Sequence, residues 1–193
     1  QEYIPQSTQE QKIIDVVERA SPAVVSIVLT EEVPIIEDFF VQPFEDFPIQ
    51  IPQFREQGTE QREIGGGSGF FVSSDGMIVT NKHVVLRKDV TYTVFTGDGE
   101  SYTAKVLARD PIQDIAVLKV TAPSGGFPFV DLGDSSSLEI GQTVVAIGNT
   151  LGEFKNTVSV GVISGLRRTI TASTGFGQSE TLDEVIQTDT AIN

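Results

Sequence analysis

His83 is the only histidine in the 193 residues, and Asp114 follows it by 31 positions. An imidazole and a carboxylate are the two groups that a hydroxyl nucleophile needs in order to be activated: a base to take its proton and an acid to orient that base. His83 lies in Thr-Asn-Lys-His-Val-Val (80–85), directly after a run with β character. Asp114 opens the apolar run Ile-Ala-Val-Leu-Lys-Val (115–120). A carboxylate leading into a buried strand is costly unless it is hydrogen-bonded, and an imidazole N–H would meet that need while fixing the tautomer. Spacing alone leaves a second account open, in which both are ordinary structural residues.

The remaining chemistry-bearing residues point elsewhere. Ser68 and Ser164 fall in or beside expected strands, and Ser135, Ser136 and Ser137 lie in a turn-rich run. None is followed by Gly-Gly or sits in a G-x-S-x-G elbow, so none reads as the nucleophile. Gly-Gly-Gly-Ser-Gly (65–69) lacks the Lys-Ser/Thr of a phosphate loop and runs into a strand, where glycine permits close backbone approach. Gly-Asp-Gly-Glu (97–100) lacks the other ligands of a calcium loop and reads as a hairpin turn. One histidine and no cysteine supply no zinc set and no thiolate chemistry. No metal or organic cofactor is expected.

Composition narrows the partners. Twenty-seven acidic against thirteen basic residues give a net charge of −14, which repels a phosphate backbone and argues against nucleic acid. No run approaches the ~20 apolar residues that span a bilayer. The chain opens at Gln1 without an initiator Met or a basic-then-apolar leader, the expectation for a processed, trimmed or partial product.

The elements that must carry His83 and Asp114 are mostly short strands. A helix is expected over 7–20, with Ser7/Glu10 or Thr8/Gln11 as capping box and Ile13, Val16, Val17 and Ala20 on one face. Ser21-Pro22 stops it. Six strands follow, at 23–29, 68–72, 77–80, 91–96, 101–108 and 115–120, with Asp75-Gly76 and Gly97-Asp98-Gly99 as hairpin turns. Six strands suffice for a small barrel. Residues 31–64 keep neither a helical nor a strand period. They hold nine acidic residues, four prolines and Phe39, Phe40, Phe44, Phe47 and Phe54, and read as a long loop whose aromatics dock on this chain or a neighbour. The expected organisation is 1–22 as N-terminal segment and helix, 23–122 as a first barrel, 123–142 as a connection, and 143–193 as part of a second barrel. That last part holds three strands, at 143–148, 157–166 and 182–189. The fold class is all-β.

Five segments change the weight of the His–Asp pair. They are GGGSGFFVSSDGMIVTNKHVV (65–85), ARDPIQDIAVLKV (108–120), LGDSSSLEIGQTVVAIGNTLG (132–152), NTVSVGVISGLRR (156–168) and IQTDTAIN (186–193). Together, in this order, they resemble the HtrA/Deg family of trypsin-like serine proteases over most of residues 11–193. The resemblance implies a chymotrypsin-like double β-barrel with the site between the barrels. It makes His83 the general base, and Asp114, not Asp110, its carboxylate. In the family, the motif at 186–193 continues into Pro-Gly-Asn-Ser-Gly-Gly, so the nucleophile is expected ~4 residues after Asn193. The chain as given is then expected to be inactive alone, with the second barrel half present. It further implies unfolded or misfolded polypeptides as substrates, a homotrimer built with the N-terminal segment around Tyr3, and a location outside the cytoplasm. The long loop 31–64 would contact neighbouring subunits, and 167–182 would be a sensor loop near the site. A PDZ domain following in a longer protein is compatible with it. The alternative is a non-catalytic β-barrel that binds peptides or serves as a scaffold.

Overall fold

The computed structural model describes residues 5, 7–41, 51–149, 156–174 and 178–191. Helix α1 runs Thr8–Ala20, and the Ser7 hydroxyl accepts the Glu10 N–H at 3.1 Å. That cap satisfies one donor the first turn leaves open. Pro22 then sets a single 3-10 turn, Ser21–Ala23, which leads into the first strand.

Among the described residues nine strands follow: β1 Val24–Val41, β2 Ile51–Ser73, β3 Met77–Thr80, β4 Thr91–Phe95, β5 Ser101–Arg109, β6 Ala116–Lys119, β7 Thr143–Asn149, β8 Asn156–Thr174 and β9 Gln178–Thr188. The first six close a barrel in the order β1-β2-β3-β6-β5-β4, and the last three form an antiparallel sheet β7-β8-β9. The architecture is all-β, with the six-plus-three strand count expected from the sequence.

The barrel closes because alternate residues of each strand are apolar. Val25, Ile27 and Leu29 of β1, Phe71 of β2, Ile78 of β3, Val94 of β4 and Leu118 of β6 all point inward and are buried. Each such side chain contributes about 1.5–3 kcal/mol on leaving water. Asp75-Gly76 turns β2 into β3, and Gly76 sits at φ +93° with Val120 O only 2.5 Å from where a Cβ would stand. Only glycine fits that corner.

Phe127 lies in the stretch expected to connect the two units, yet it packs into the first barrel's core. It stacks on Phe71 at 4.2 Å between ring centroids and meets Tyr102 edge-on at 5.0 Å.

Two expected loops are strands. Residues 31–41 and 51–64 continue β1 and β2 as an antiparallel ribbon beyond the barrel, with register shifts at Leu29/Thr30 and Ile35/Ile36. Residues 167–174 and 178–182 likewise extend β8 and β9. The reason is physical: polar–apolar alternation marks a strand with one buried face. In the first ribbon Glu32, Ile35, Ile36, Glu60 and Arg62 are all exposed, so backbone pairing proceeds without that pattern. Of the aromatics expected to dock, Phe39, Phe40 and Phe54 are described as backbone of β1 and β2 only, and Phe44, Phe47 and Tyr3 lie outside the described residues. Among the described residues, no helix is long and apolar enough to cross a membrane.

Candidate active site

The pairing of β3 with β6 is what brings His83 to Asp114. Their antiparallel register places Thr80, the last residue of β3, opposite Ala116, the first of β6. The chain leaving β3 and the chain entering β6 are therefore side by side. Directly after β3, Lys82–Val85 form one 3-10 turn that carries His83. Val84 and Val85 are buried in the barrel core, so the turn is anchored on one side while the histidine faces out.

His83 grips Asp114 twice. Its backbone N–H donates to Oδ1 at 2.9 Å, and its ring Nδ1 lies 2.7 Å from Oδ2. The Asp114 side chain is 16% exposed and the His83 side chain 62% exposed. Burial pushes the Asp114 carboxyl up. The His83 backbone N–H, the His83 ring and the Asn81 amide outweigh it and hold the group below the usual aspartate range. Asp114 is therefore a carboxylate near neutral pH and can only accept hydrogen bonds. The ring nitrogen facing it must carry the proton, which leaves the lone pair on Nε2. The side chain is largely exposed, and a free Nε2 can accept a proton from an approaching hydroxyl.

Asp110, the other aspartate of this segment, has a different task. Its Oδ1 accepts the N–H groups of Ile112 and Gln113, both at 2.7 Å, and shapes the turn that delivers Asp114.

Two residues that sequence reasoning missed brace the turn. Asn81 Nδ2 donates to Asp114 Oδ2 at 3.1 Å and to Asp114 O at 3.2 Å. Arg109 Nε donates to Val85 O at 2.7 Å at the other end. Asn81 stands in the Thr-Asn-Lys-His motif, and Arg109 opens the Arg-Asp-Pro-Ile-Gln-Asp run, so both had a positional signal. Gly67 makes room for the turn: a Cβ there would stand 2.6 Å from Val84 Cγ2.

The weighed serines lie on elements other than the turn that carries His83. Ser68 is in β2 opposite Ser26, and its carbonyl accepts the Thr80 hydroxyl at 2.7 Å. Ser164 is exposed on β8. Ser135–Ser137 form a 3-10 turn capped by Asp134. The end of β9 and the residue after it are stitched to β8: Asp189 Oδ1 accepts the Val162 N–H at 2.7 Å, and the Thr188 hydroxyl donates to Val162 O at 3.0 Å.

Residues 67–193 match the family model described as "Trypsin-like peptidase domain". Relatives named "Probable periplasmic serine endoprotease DegP-like" share 37% identity over 96% of this chain in Bartonella henselae (strain ATCC 49882 / DSM 28221 / CCUG 30454 / Houston 1) and 41% over 81% of it in Chlamydia trachomatis serovar D. The chain spans only 39% and 30% of the length of these two relatives. Among solved structures, Deg5 matches 98% of this chain and 78% of its own, at 29% identity and a TM-score of 0.70. The HtrA-type protease AlgW, solved with a decapeptide, matches 93% of this chain and 52% of its own, at 31% identity and a TM-score of 0.66. With its six-strand barrel and three-strand sheet, the chain belongs to the trypsin-like serine peptidases of the HtrA/Deg family.

Proposed function

We propose that residues 1–193 supply the general base and its orienting carboxylate to a serine endopeptidase that cleaves unfolded or misfolded polypeptides. The observation that carries this reading is the 2.7 Å contact between His83 Nδ1 and Asp114 Oδ2 on an exposed ring. His83 Nε2 takes the proton of the serine hydroxyl as that oxygen attacks the scissile carbonyl. Asp114 keeps Nδ1–H in place and stabilises the imidazolium that forms. His83 then gives the proton to the leaving amine as the acyl-enzyme appears, and the cycle repeats with water. No metal takes part in these steps.

The nucleophile belongs to the motif that follows Ile-Gln-Thr-Asp-Thr-Ala-Ile-Asn in the family, so it is not among residues 1–193. Assembly as a homotrimer and work outside the cytoplasm complete the reading. The second is supported by the word "periplasmic" in the relatives' names.

Two assays test it. A polypeptide joining residues 1–193 to a Pro-Gly-Asn-Ser-Gly-Gly segment and the rest of a second barrel should hydrolyse unfolded casein, and H83A should lower its kcat on the order of 10⁶-fold. Residues 1–193 alone should neither cleave casein nor react with a serine-directed fluorophosphonate. Labelling of the 193-residue polypeptide would place the nucleophile among the serines excluded above.

A further inference from the structure

We propose that Asn81 is a positioning residue of the site, which fixes the Asp114 carboxylate so that its Oδ2 stays in line with the His83 ring. The inference rests on the assignment of His83 and Asp114 as base and carboxylate and extends it by one residue.

Asn81 occupies the N-cap of the turn Lys82–Val85, with extended backbone at φ −72° and ψ 141°. An asparagine there ordinarily turns its side-chain oxygen onto the N–H groups of its own turn. Here no side-chain cap bond forms. The amide instead reaches across to Asp114 and divides its donors between the carboxylate oxygen and the backbone carbonyl, at 3.1 and 3.2 Å. The orientation of the amide is dictated by what it faces. Both Asp114 atoms are acceptors, so only the NH₂ end can point at them, and a flipped amide would set oxygen against oxygen.

The consequence is a carboxylate held on both oxygens. Oδ1 takes the His83 backbone N–H, and Oδ2 takes the ring and the Asn81 amide together. The bond to Asp114 O also ties the side chain to the backbone that carries it. Rotation of the carboxylate about its Cβ–Cγ bond then breaks three charge-assisted bonds at once. Without Asn81, the ring is the sole restraint on Oδ2, although it is itself an exposed group. Asn81 touches no reacting atom, so its effect passes through Asp114.

Because His83 is the only histidine, one imidazole gives every ring signal in an NMR spectrum. The test uses the 193-residue chain labelled with ¹⁵N and ¹³C, with Asn81→Ala and Asn81→Ser beside the parent. Serine keeps the N-cap preference but is too short to bridge, so N81S separates capping from bridging. In the parent, the ring Nδ1–H should give a low-field resonance protected from exchange, and the Asp114 carboxyl carbon should titrate below the ordinary aspartate range. In both variants the low-field resonance should broaden or vanish and the Asp114 midpoint should move up. If N81S or N81A keeps both signatures and loses only thermal stability, Asn81 is a cap and the inference falls. If the parent itself lacks the low-field resonance, the His83–Asp114 assignment falls first and this one with it.

Discussion

The backbone N–H of His83 and the ring of the same residue bind the two oxygens of one carboxylate, Asp114, at 2.9 and 2.7 Å. A single bond to the ring would leave the carboxylate free to turn. The double grip makes the position of the carboxylate depend on the backbone of the turn that carries the base. Base and orienter are thereby set by one piece of main chain, the Lys82–Val85 turn, and by the register of β3 against β6. The turn is anchored by buried Val84 and Val85 while the His83 side chain is exposed, which suits a group that must meet a polypeptide from solvent.

Asp114→Asn keeps the shape of the side chain and removes its charge. The amide nitrogen of the new residue cannot accept from Nδ1–H, so the ring is driven toward the wrong tautomer. In a form of the protein that carries the nucleophile, kcat should fall about 10⁴-fold. The fold should persist, because the barrel core is untouched. A steady-state assay with a chromogenic peptide reads the loss, and a decrease below tenfold would mean that Asp114 does not orient the base.

Gly67→Ala tests the seat of the turn rather than its chemistry. The new methyl would stand 2.6 Å from Val84 Cγ2 and 3.1 Å from Cγ1, and Val84 is buried directly behind His83. Overpacking of this kind costs about 1–3 kcal/mol. Urea unfolding should show that loss, and Val84→Ala in the same chain should recover part of it, since the two residues are in contact. Additive losses in the double variant would mean the clash is relieved elsewhere.

The barrel was legible because its strands are short apolar runs bounded by turn formers. Residues 24–29 of β1 are buried throughout, and Asp75-Gly76 marks its turn by residue type. The His83–Asp114 pair was visible as residue types at motif positions, but its geometry was not. Neither the bidentate grip nor the Asn81 bridge follows from spacing, since both depend on strand register. The ribbons at 31–41 with 51–64, and at 167–174 with 178–182, were illegible for the opposite reason. Their pairing is carried by backbone groups, whose hydrogen bonds are blind to side-chain type. Phe127 was read as part of a connection because its neighbours Pro123, Gly125, Gly126 and Pro128 are turn formers, and a turn former says nothing about where the intervening ring packs.

Phe127→Ala should show that the connection stabilises the first barrel. The ring is buried against Phe71 and Tyr102, and its loss opens a cavity at the barrel end. Large-to-small changes of this kind cost about 3–5 kcal/mol. Thermal unfolding followed by near-ultraviolet circular dichroism should report a lower midpoint and a weaker Tyr102 signal. An effect within about 0.5 kcal/mol, the range of surface substitutions, would mean that Phe127 merely lies over the barrel.

Acid should unfold the chain through a small set of aspartates. Lys119 and the Ser73 hydroxyl hold Asp75 below the ordinary range, the Thr96 hydroxyl holds Asp98, and backbone N–H groups hold Asp110 and Asp134. Asp114 joins them through His83 and Asn81, against its own burial. Each of these carboxyls binds its proton more weakly folded than unfolded. Each therefore contributes stability that is fully present above the unfolded value of about 3.9 and is lost as pH falls through the folded value. A net charge of −14 works in the other direction, because protonating the unpaired carboxylates relieves repulsion. The five aspartates held low keep their charge, and the bonds it strengthens, to a lower pH than a free aspartate would. Unfolding midpoints measured from pH 7 to pH 2 should accordingly hold level or rise slightly down to about pH 4.5 and then drop steeply. A midpoint still rising at pH 3 would show that general repulsion outweighs these five bonded carboxylates.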